Sequence, residues 1–405
     1  MTARATPVTR RRAALAQTVL AWGAVALLAG CPEVPRPPPR EASPSASATA
    51  SPTGATQPAP SATPAPIGPF NGSVAGPSTG WPPGKRVDLQ RRAMGTTVSL
   101  VSTTTPALDH AAVTAALERA FDEITRLEAL MTTWRPDSEV SRVNAAAGGR
   151  AIAVSPETFS VLQKSRWISD RSQGTFDITF ASMGKLWRFD PNQVAELPAP
   201  ATVAAARAKI DYRRVVLDET DRTVRLDSPD TRINLGGIAK GYAIDRVAAI
   251  LRRAGLGSFT AQAGGDLYVA GRKPDGKAWR VGIRDPRGKA GAFFAMLEVE
   301  DHAFSTAGDY ERAFVRGGRR YHHIIDPRTG YPATASRSVT IWAKDALTAD
   351  ALDDAVFILG PAEGLKLVES LDDCGAVIVD QNNRVWISKR LAGRVEIRHQ
   401  PTDGI

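Results

Sequence analysis

Cysteine is nearly absent from this chain. Only Cys31 and Cys374 occur among 405 residues, so no framework of internal disulfides is on offer and stability must come from a buried core. Histidine is also sparse, with five copies, and no Cys/His spacing matches a zinc site. No GxSxG stands where a serine hydrolase needs its nucleophile, and the GxxxxGK[ST] order of a Walker loop is missing. Large apolar residues almost vanish between residues 32 and 84, where Pro, Ala, Ser, Thr and Gly dominate. Such a stretch cannot bury enough surface to offset chain entropy, so it reads as an extended tether. A basic footprint for nucleic acid is lacking too. The formal charge is +9, but residues 1–93 hold ten Lys or Arg against three acids, which leaves +2 for residues 94–405. No nucleic-acid partner is expected.

The first residues follow an export pattern. Arg10, Arg11 and Arg12 precede an apolar run over 13–28 that is too short for a durable membrane span. Leu28-Ala29-Gly30-Cys31 resembles a bacterial lipobox, so Cys31 is expected to carry lipid and become the mature N-terminus. Thr9-Arg10-Arg11 leaves the twin-arginine and the general export routes both open. The expected organisation is a signal peptide over 1–30, a lipidated tether over 31–85, a globular domain over 86–395 and a tail over 396–405. This places the protein in a bacterial cell envelope, anchored to a membrane and facing the periplasm.

Within the globular part, 95–101 alternates like a strand. Asp109 is placed to cap a helix whose stripe is Val113, Leu117, Ala120, Phe121, Ile124, Leu127 and Met131. Ser155-Pro156-Glu157 opens a second helix that turns Phe159, Leu162, Trp167 and Ile168 inward. A third covers 238–253 and stops before Gly255, and a last one covers 347–359 and ends at Gly360. Short strands are expected near 215–217, 224–226, 259–262, 267–270, 279–283, 295–299, 303–306, 376–379 and 385–387. Helices separated by hairpin-like strands predict an α+β fold with mixed or antiparallel sheets.

Several segments could carry chemistry. Asn234-Leu235-Gly236-Gly237-Ile238-Ala239-Lys240-Gly241 puts a glycine pair at a helix start with a lysine one turn in, which suits a phosphate or simply makes a tight turn. Gly264-Gly265-Asp266 alone is a turn. Ser305-Thr306-Ala307-Gly308-Asp309 is a stretch where backbone could pass close to a ligand. Asp350 and Asp354 lie one helical turn apart and share a face. They could hold a hard divalent cation, or form a solvated acidic helix start. The apolar residues among them place these acids at the rim of a buried surface. In Arg320-Tyr321-His322-His323-Ile324-Ile325-Asp326-Pro327-Arg328-Thr329-Gly330, His323 could accept a proton or be structural, and 326–330 has the composition of a turn.

Taken in order, Ala93-Met94-Gly95-Thr96-Thr97, Ser141-Arg142-Val143-Asn144, Phe176-Asp177-Ile178-Thr179, the 234–241 stretch, Gly264-Gly265-Asp266, 305–311, 323–330 and Asp350-Ala351-Leu352 resemble the ApbE family of FAD:protein FMN transferases. The resemblance covers residues 93–390 and implies a two-lobed, T-fold-like catalytic domain. It also implies transfer of FMN from FAD to a Thr or Ser hydroxyl of an exported or membrane protein through a phosphoester, with release of AMP and a requirement for Mg2+. Carried over by position, metal ligands are Gly237 through its carbonyl, Asp350 and Asp354. FAD contacts are Met94, Trp134, Phe180, Ala181, Ser182, Lys240 and Ala243. His323 and Asp350 take the catalytic places. Three departures stand out: Asn234 replaces an aspartate, Asp354 replaces a threonine, and Ala181-Ser182 replaces a Gly-Pro. The alternatives are a Mg-dependent FAD hydrolase, in which water replaces the protein hydroxyl, and a flavin-binding lipoprotein without chemistry.

Overall fold

The computed structural model describes residues 84–189 and 196–405. Cys31, the leader over 1–30 and residues 31–83 of the expected tether lie outside the described residues. The first described element is a hairpin of Arg86–Ala93 and Thr96–Thr103. Its turn is made by Met94 (φ 51°) and Gly95 (φ 73°), two left-handed residues whose twist suits a two-residue connection. Gly95 therefore belongs to the turn, and the expected strand begins one residue later.

That hairpin is one edge of an eight-stranded sheet. The order across it is Arg86–Ala93, Thr96–Thr103, Phe259–Ala263, Asp266–Ala270, His302–Gly308, Ser336–Ala343, Cys374–Asp380 and Val385–Ile387. Every pairing in it is antiparallel. The adjacent strands Ser336–Ala343 and Cys374–Asp380 are buried almost throughout, which in an antiparallel sheet requires that both faces be covered. Alternation sorts their side chains between two cores. Val339, Ile341 and Ala343 join the helices on one side. Trp342, Val377 and Val379 join Ile283, Phe294, Leu297 and Val299 of a smaller sheet on the other.

Six α-helices occur among the described residues: α1 His110–Met131, α2 Glu139–Ala145, α3 Pro156–Arg171, α4 Pro200–Arg207, α5 Ala239–Arg253 and α6 Ala346–Glu369. The caps expected at Asp109 and Ser155 are present, accepting from Ala112 N and Thr158 N. In α6, Gly360 (φ 75°, ψ −177°) breaks the helix before Pro361, where the sequence places its end. The short α2 and α4 were not expected, since seven or eight residues display too little of a periodic stripe. Residues 396–405 do not trail free. Val395–Ile397 pairs with the smaller sheet, Arg398 N donates to Phe294 O, and Thr402 bonds Asp285 through both N and Oγ1.

Candidate functional site

The position of the site follows from how closely α5 and α6 approach. A Cβ at Gly241 would lie 2.2 Å from Ala346 O and 2.7 Å from Asp350 Cβ, so only glycine allows α6 to lie this near the first turn of α5. The contact lets Asp350 reach across, its Oδ2 accepting from Gly241 N at 2.8 Å. No side chain of α5's own N-cap residue, Ile238, makes a capping bond. The anion expected at this helix start is thus a carboxylate of the chain itself, placed where the helix dipole favours negative charge.

The loop before α5 is held by two asparagines. Asn144 of α2 brackets the backbone of Ile233, accepting from its N at 2.8 Å and donating to its O at 2.9 Å. Asn234 accepts from Gly236 N at 2.7 Å and donates to Thr133 Oγ1 at 3.4 Å. That second bond uses the amide's N–H, which an aspartate at this position would lack. It ties the α5 loop to the segment carrying Trp134, whose side chain is 93% exposed. Nearby, Ser182 Oγ accepts from Arg232 N at 2.9 Å, and Phe180 is exposed.

Around Lys240 the charges crowd. Its ammonium lies 3.0 Å from Asp350 Oδ1 and 3.2 Å from Asp266 Oδ2, and it donates to Gly236 O at 3.1 Å. Burial opposes that charge, but Asp266 and Asp350 outweigh it and hold Lys240 protonated. Asp266, Asp350 and Asp353 each offer an oxygen within 4.8 Å of the others. Ser305 Oγ bonds both Asp266 Oδ1 and Asp353 Oδ2. One hydroxyl supplies one proton, so two carboxylates sharing it require another proton or a cation between them. Burial and then Asp350 push Asp266 up to about 7, against Lys240. Burial likewise raises Asp354 to about 6, with Lys240 opposing and Asp350 adding. Asp353 stands well above the usual carboxylate range through burial and the charges of Asp354, Asp350 and Asp266. Asp266 Oδ2 is buried without a hydrogen bond; its contact with Lys240 is an ion pair without hydrogen-bond geometry.

Asp350 and Asp353 are not at a rim, whereas Asp354 is half-buried. Asp350 and Asp353 are 2% and 5% exposed, because α6 packs its acidic turn between α5 and the sheet. The oxygen donors drawn together are Asp266, Asp350 and Asp353, while the Asp354 carboxylate sits beside Gly237, with Oδ2 3.1 Å from where a Cβ there would be. Sequence reasoning left Asp266 as a turn residue and passed over Ser305 and Asp353 as ligands. The spacing of 350 and 353, three residues apart on a helix, was the available signal. Ala243 is 1% exposed inside α5's packed face, so the surface it offers is to the core.

Both histidines leave a buried Nδ1 without a partner, and they differ in burial and in their remaining bonds. His322 ends a strand, is buried, and its Nε2 bonds Ala333 O at 2.8 Å. His323 follows that strand, its N donating to Arg312 O at 3.2 Å, and its buried Nδ1 has no partner. Burial, then the neighbouring charges of His322, Arg312 and Lys240, push His323 down to about 4, so it is neutral at physiological pH. Beyond it, 326–330 is the expected turn: Gly330 N donates to Asp326 O at 2.8 Å, and Arg328 pairs with Asp326 at 2.8 Å.

Comparison with known proteins places this geometry. The model of the ApbE family matches residues 94–378. The FAD:protein FMN transferase of Treponema pallidum is 33% identical over 301 residues, covering 71% of this chain and 83% of that protein. A Klebsiella pneumoniae protein of the same name is 33% identical over 273 residues, covering 67% of this chain and 84% of that one. Among solved structures, the ApbE protein of Thermotoga maritima matches with a TM-score of 0.69 at 30% identity, over 76% of this chain and 99% of its own. The flavin transferase ApbE of Vibrio cholerae matches with a TM-score of 0.67 at 27% identity, over 77% and 100%.

Proposed function

The chain belongs to the ApbE family, and from that premise we propose how its residues carry out the transfer of FMN from FAD to a hydroxyl of another protein. The enzyme is an FAD:protein FMN transferase. In the reaction the acceptor oxygen attacks the FMN phosphorus, the P–O bond to the AMP half breaks, and AMP departs with the other phosphate. His323, neutral and with Nδ1 unpartnered, can take the acceptor proton as a weak base whose pKa burial holds near 4. Lys240, kept charged between two carboxylates, supplies a fixed positive group toward the diphosphate. The exposed Trp134 face offers a surface on which a flavin ring can stack.

The donor set fits a magnesium ion. It consists of buried oxygens only, it carries more carboxylates than cations, and one of its oxygens lacks a hydrogen bond. Hard cations take such ligands. Asp350 with Asp266, Asp353 or Asp354, and the Gly237 carbonyl, would hold it. Bound there, it would offset charge developing on phosphate oxygens. Among the described residues no helix is long and apolar enough to cross a membrane. Attachment is proposed through lipid on Cys31, with the enzyme facing the periplasm and acting on exported or membrane proteins.

The observation that carries the reading is the cluster of buried carboxylates around Lys240 at the start of α5, within a family whose named members transfer FMN. The test is incubation with FAD, Mg2+ and a protein bearing a flavinylation site, followed by a denaturing gel. Covalent flavin fluorescence on the acceptor with stoichiometric AMP is expected. AMP without labelled acceptor assigns hydrolysis, and FAD uptake without AMP assigns binding alone.

A further inference from the structure

We propose that Arg312 is a further binding residue for the FAD diphosphate, a second cation set across a strand pair from His323. This inference rests on the transferase reading and adds a residue to it.

The hairpin Ala313–Arg316/Arg319–His322 fixes where Arg312 stands. Its register sets Ala313 opposite His322. One more bond at its base, from His323 N to Arg312 O at 3.2 Å, sets Arg312 opposite His323. Directly opposed residues of an antiparallel pair share a face, and alternation adds Phe314 and Tyr321 to that face. Ala313 and His322 point the other way, where His322 meets the ring of Phe357 edge-on. The shared face is braced. Phe314 and Tyr321 stack at 5.2 Å, Trp187 stacks on Tyr321 at 6.1 Å, and the Trp187 indole N–H donates to Gly330 O at 2.8 Å in the turn after His323.

On that base Arg312 is exposed, and its guanidinium makes no hydrogen bond or ion pair among the described residues. The acids beside it are committed to other arginines: Glu311 pairs with Arg284 at 2.7 Å, and Asp309 is bidentate with Arg287 at 2.6 and 2.7 Å. The charge of Arg312 is felt at the site. Burial is the first cause that lowers His323, and the charges of His322, Arg312 and Lys240 add to it. Lys240 stands differently, because Asp350 and Asp266 already hold it at 3.0 and 3.2 Å. A diphosphate brings more negative charge to a cluster in which Asp266, Asp350, Asp353 and Asp354 all act on one lysine. A guanidinium without a carboxylate, on the face of His323, answers that excess, since its planar fork takes two phosphate oxygens at once.

The test compares two flavins that differ in phosphate. Binding of FAD and of riboflavin is measured by flavin fluorescence, with Mg2+ present and no acceptor protein, on the full chain and on its Arg312→Gln and Arg312→Lys variants. Either substitution retains the backbone carbonyl that holds His323 N. Arg312→Gln should bind FAD about 10-fold more weakly, the scale of a lost charge-assisted hydrogen bond, and riboflavin within about twofold of the wild type. Arg312→Lys should regain most of the FAD affinity, because it keeps the charge. Equal weakening for both flavins would give Arg312 a structural role and overturn the proposal. Unchanged FAD affinity with slower FMN transfer would overturn it too, placing Arg312 beside the acceptor. AMP release with acceptor present is read separately: its failure sinks the transferase reading, whereas the comparison of FAD with riboflavin rests on Arg312 alone.

Discussion

The seam between α5 and α6 gathers carboxylates at two places, and they are satisfied differently. At the start of α6, Asp245 accepts from Ala346 N at 2.7 Å and Leu347 N at 2.9 Å, while Asp345 accepts from Thr348 N at 2.7 Å. Burial and the charge of Asp345 still push Asp245 up, but both its oxygens have donors from the helix they cap. One turn later Asp266, Asp350, Asp353 and Asp354 share one lysine and one hydroxyl as side-chain partners, with Gly241 N on Asp350 and Asp354 N on Asp353, and Asp266 Oδ2 meets only the Lys240 ion pair. The first group ends its accounts within the fold; the second is arranged for something that is not protein. Buried charge alone marks neither structure nor function, and what decides is whether the chain supplies the partners.

The sharpest way to break this contrast is to neutralise one member of each group. Asp350→Asn keeps the shape and should lower FMN transfer roughly 1,000-fold, the scale of losing a group that holds charge at a reacting phosphate. AMP release measured with saturating FAD and Mg2+ checks it, and near wild-type turnover would remove Asp350 from the site. Asparagine is the better probe, because Asp350→Ala would leave Gly241 N buried without an acceptor. Next in size, His323→Ala should slow transfer about 100-fold, as expected for loss of a general base. His322→Gln should leave turnover nearly unchanged while lowering thermal stability, since His322 bonds only backbone. Equal losses at both positions would erase the distinction drawn between them.

The other arm of the contrast predicts stability without chemistry. Asp245→Ala strips two backbone N–H groups at the start of α6 of their acceptors, which should cost about 2 kcal/mol, read as a lower denaturant midpoint at constant slope. Turnover per folded molecule at 25 °C should stay within about twofold. A collapse of activity in a protein that still binds FAD would mean that the two groups are one.

Much of this frame is legible in the sequence, because helices and strands announce themselves locally. The cap at Asp109, the Ser155-Pro156 start and the break at Gly360 are chemistry of a few adjacent residues. The site is only half legible. Lys240, Asp350, His323, Asp266 and Ser305 all lie in motifs, but that Ser305 and Asp266 are partners comes only from the antiparallel pairing of two strands, His302–Gly308 with Asp266–Ala270. Burial of Asp350 depends on the missing side chain at Gly241, more than a hundred residues away. An apolar helix with three acids reads as a rim from its own composition; it is the neighbour's glycine that lets Asp350 and Asp353 lie inside.

The smallest effect tests the cluster's excess of charge directly. Asp354 stands where the resemblance leads one to expect threonine, and burial raises it to about 6 from an ordinary 3.8, against the pull of Lys240 and with Asp350 adding to the rise. A carboxyl whose folded pKa lies above its unfolded one binds its proton more tightly in the folded state, so it contributes stability at low pH that is lost as pH rises from 3.8 through 6. Metal-free Asp354→Thr should therefore match the wild type near pH 4 and exceed it at pH 7 by on the order of 1 kcal/mol. Addition of Mg2+ should reverse the ranking, since a ligand that binds only the folded state stabilises it by mass action and the wild type offers one more carboxylate to the ion. Melting curves at both pH values, with and without Mg2+, give the four numbers required. A Thr variant that is less stable than the wild type at pH 7 without metal would show that Asp354 is satisfied by the fold, as Asp245 is.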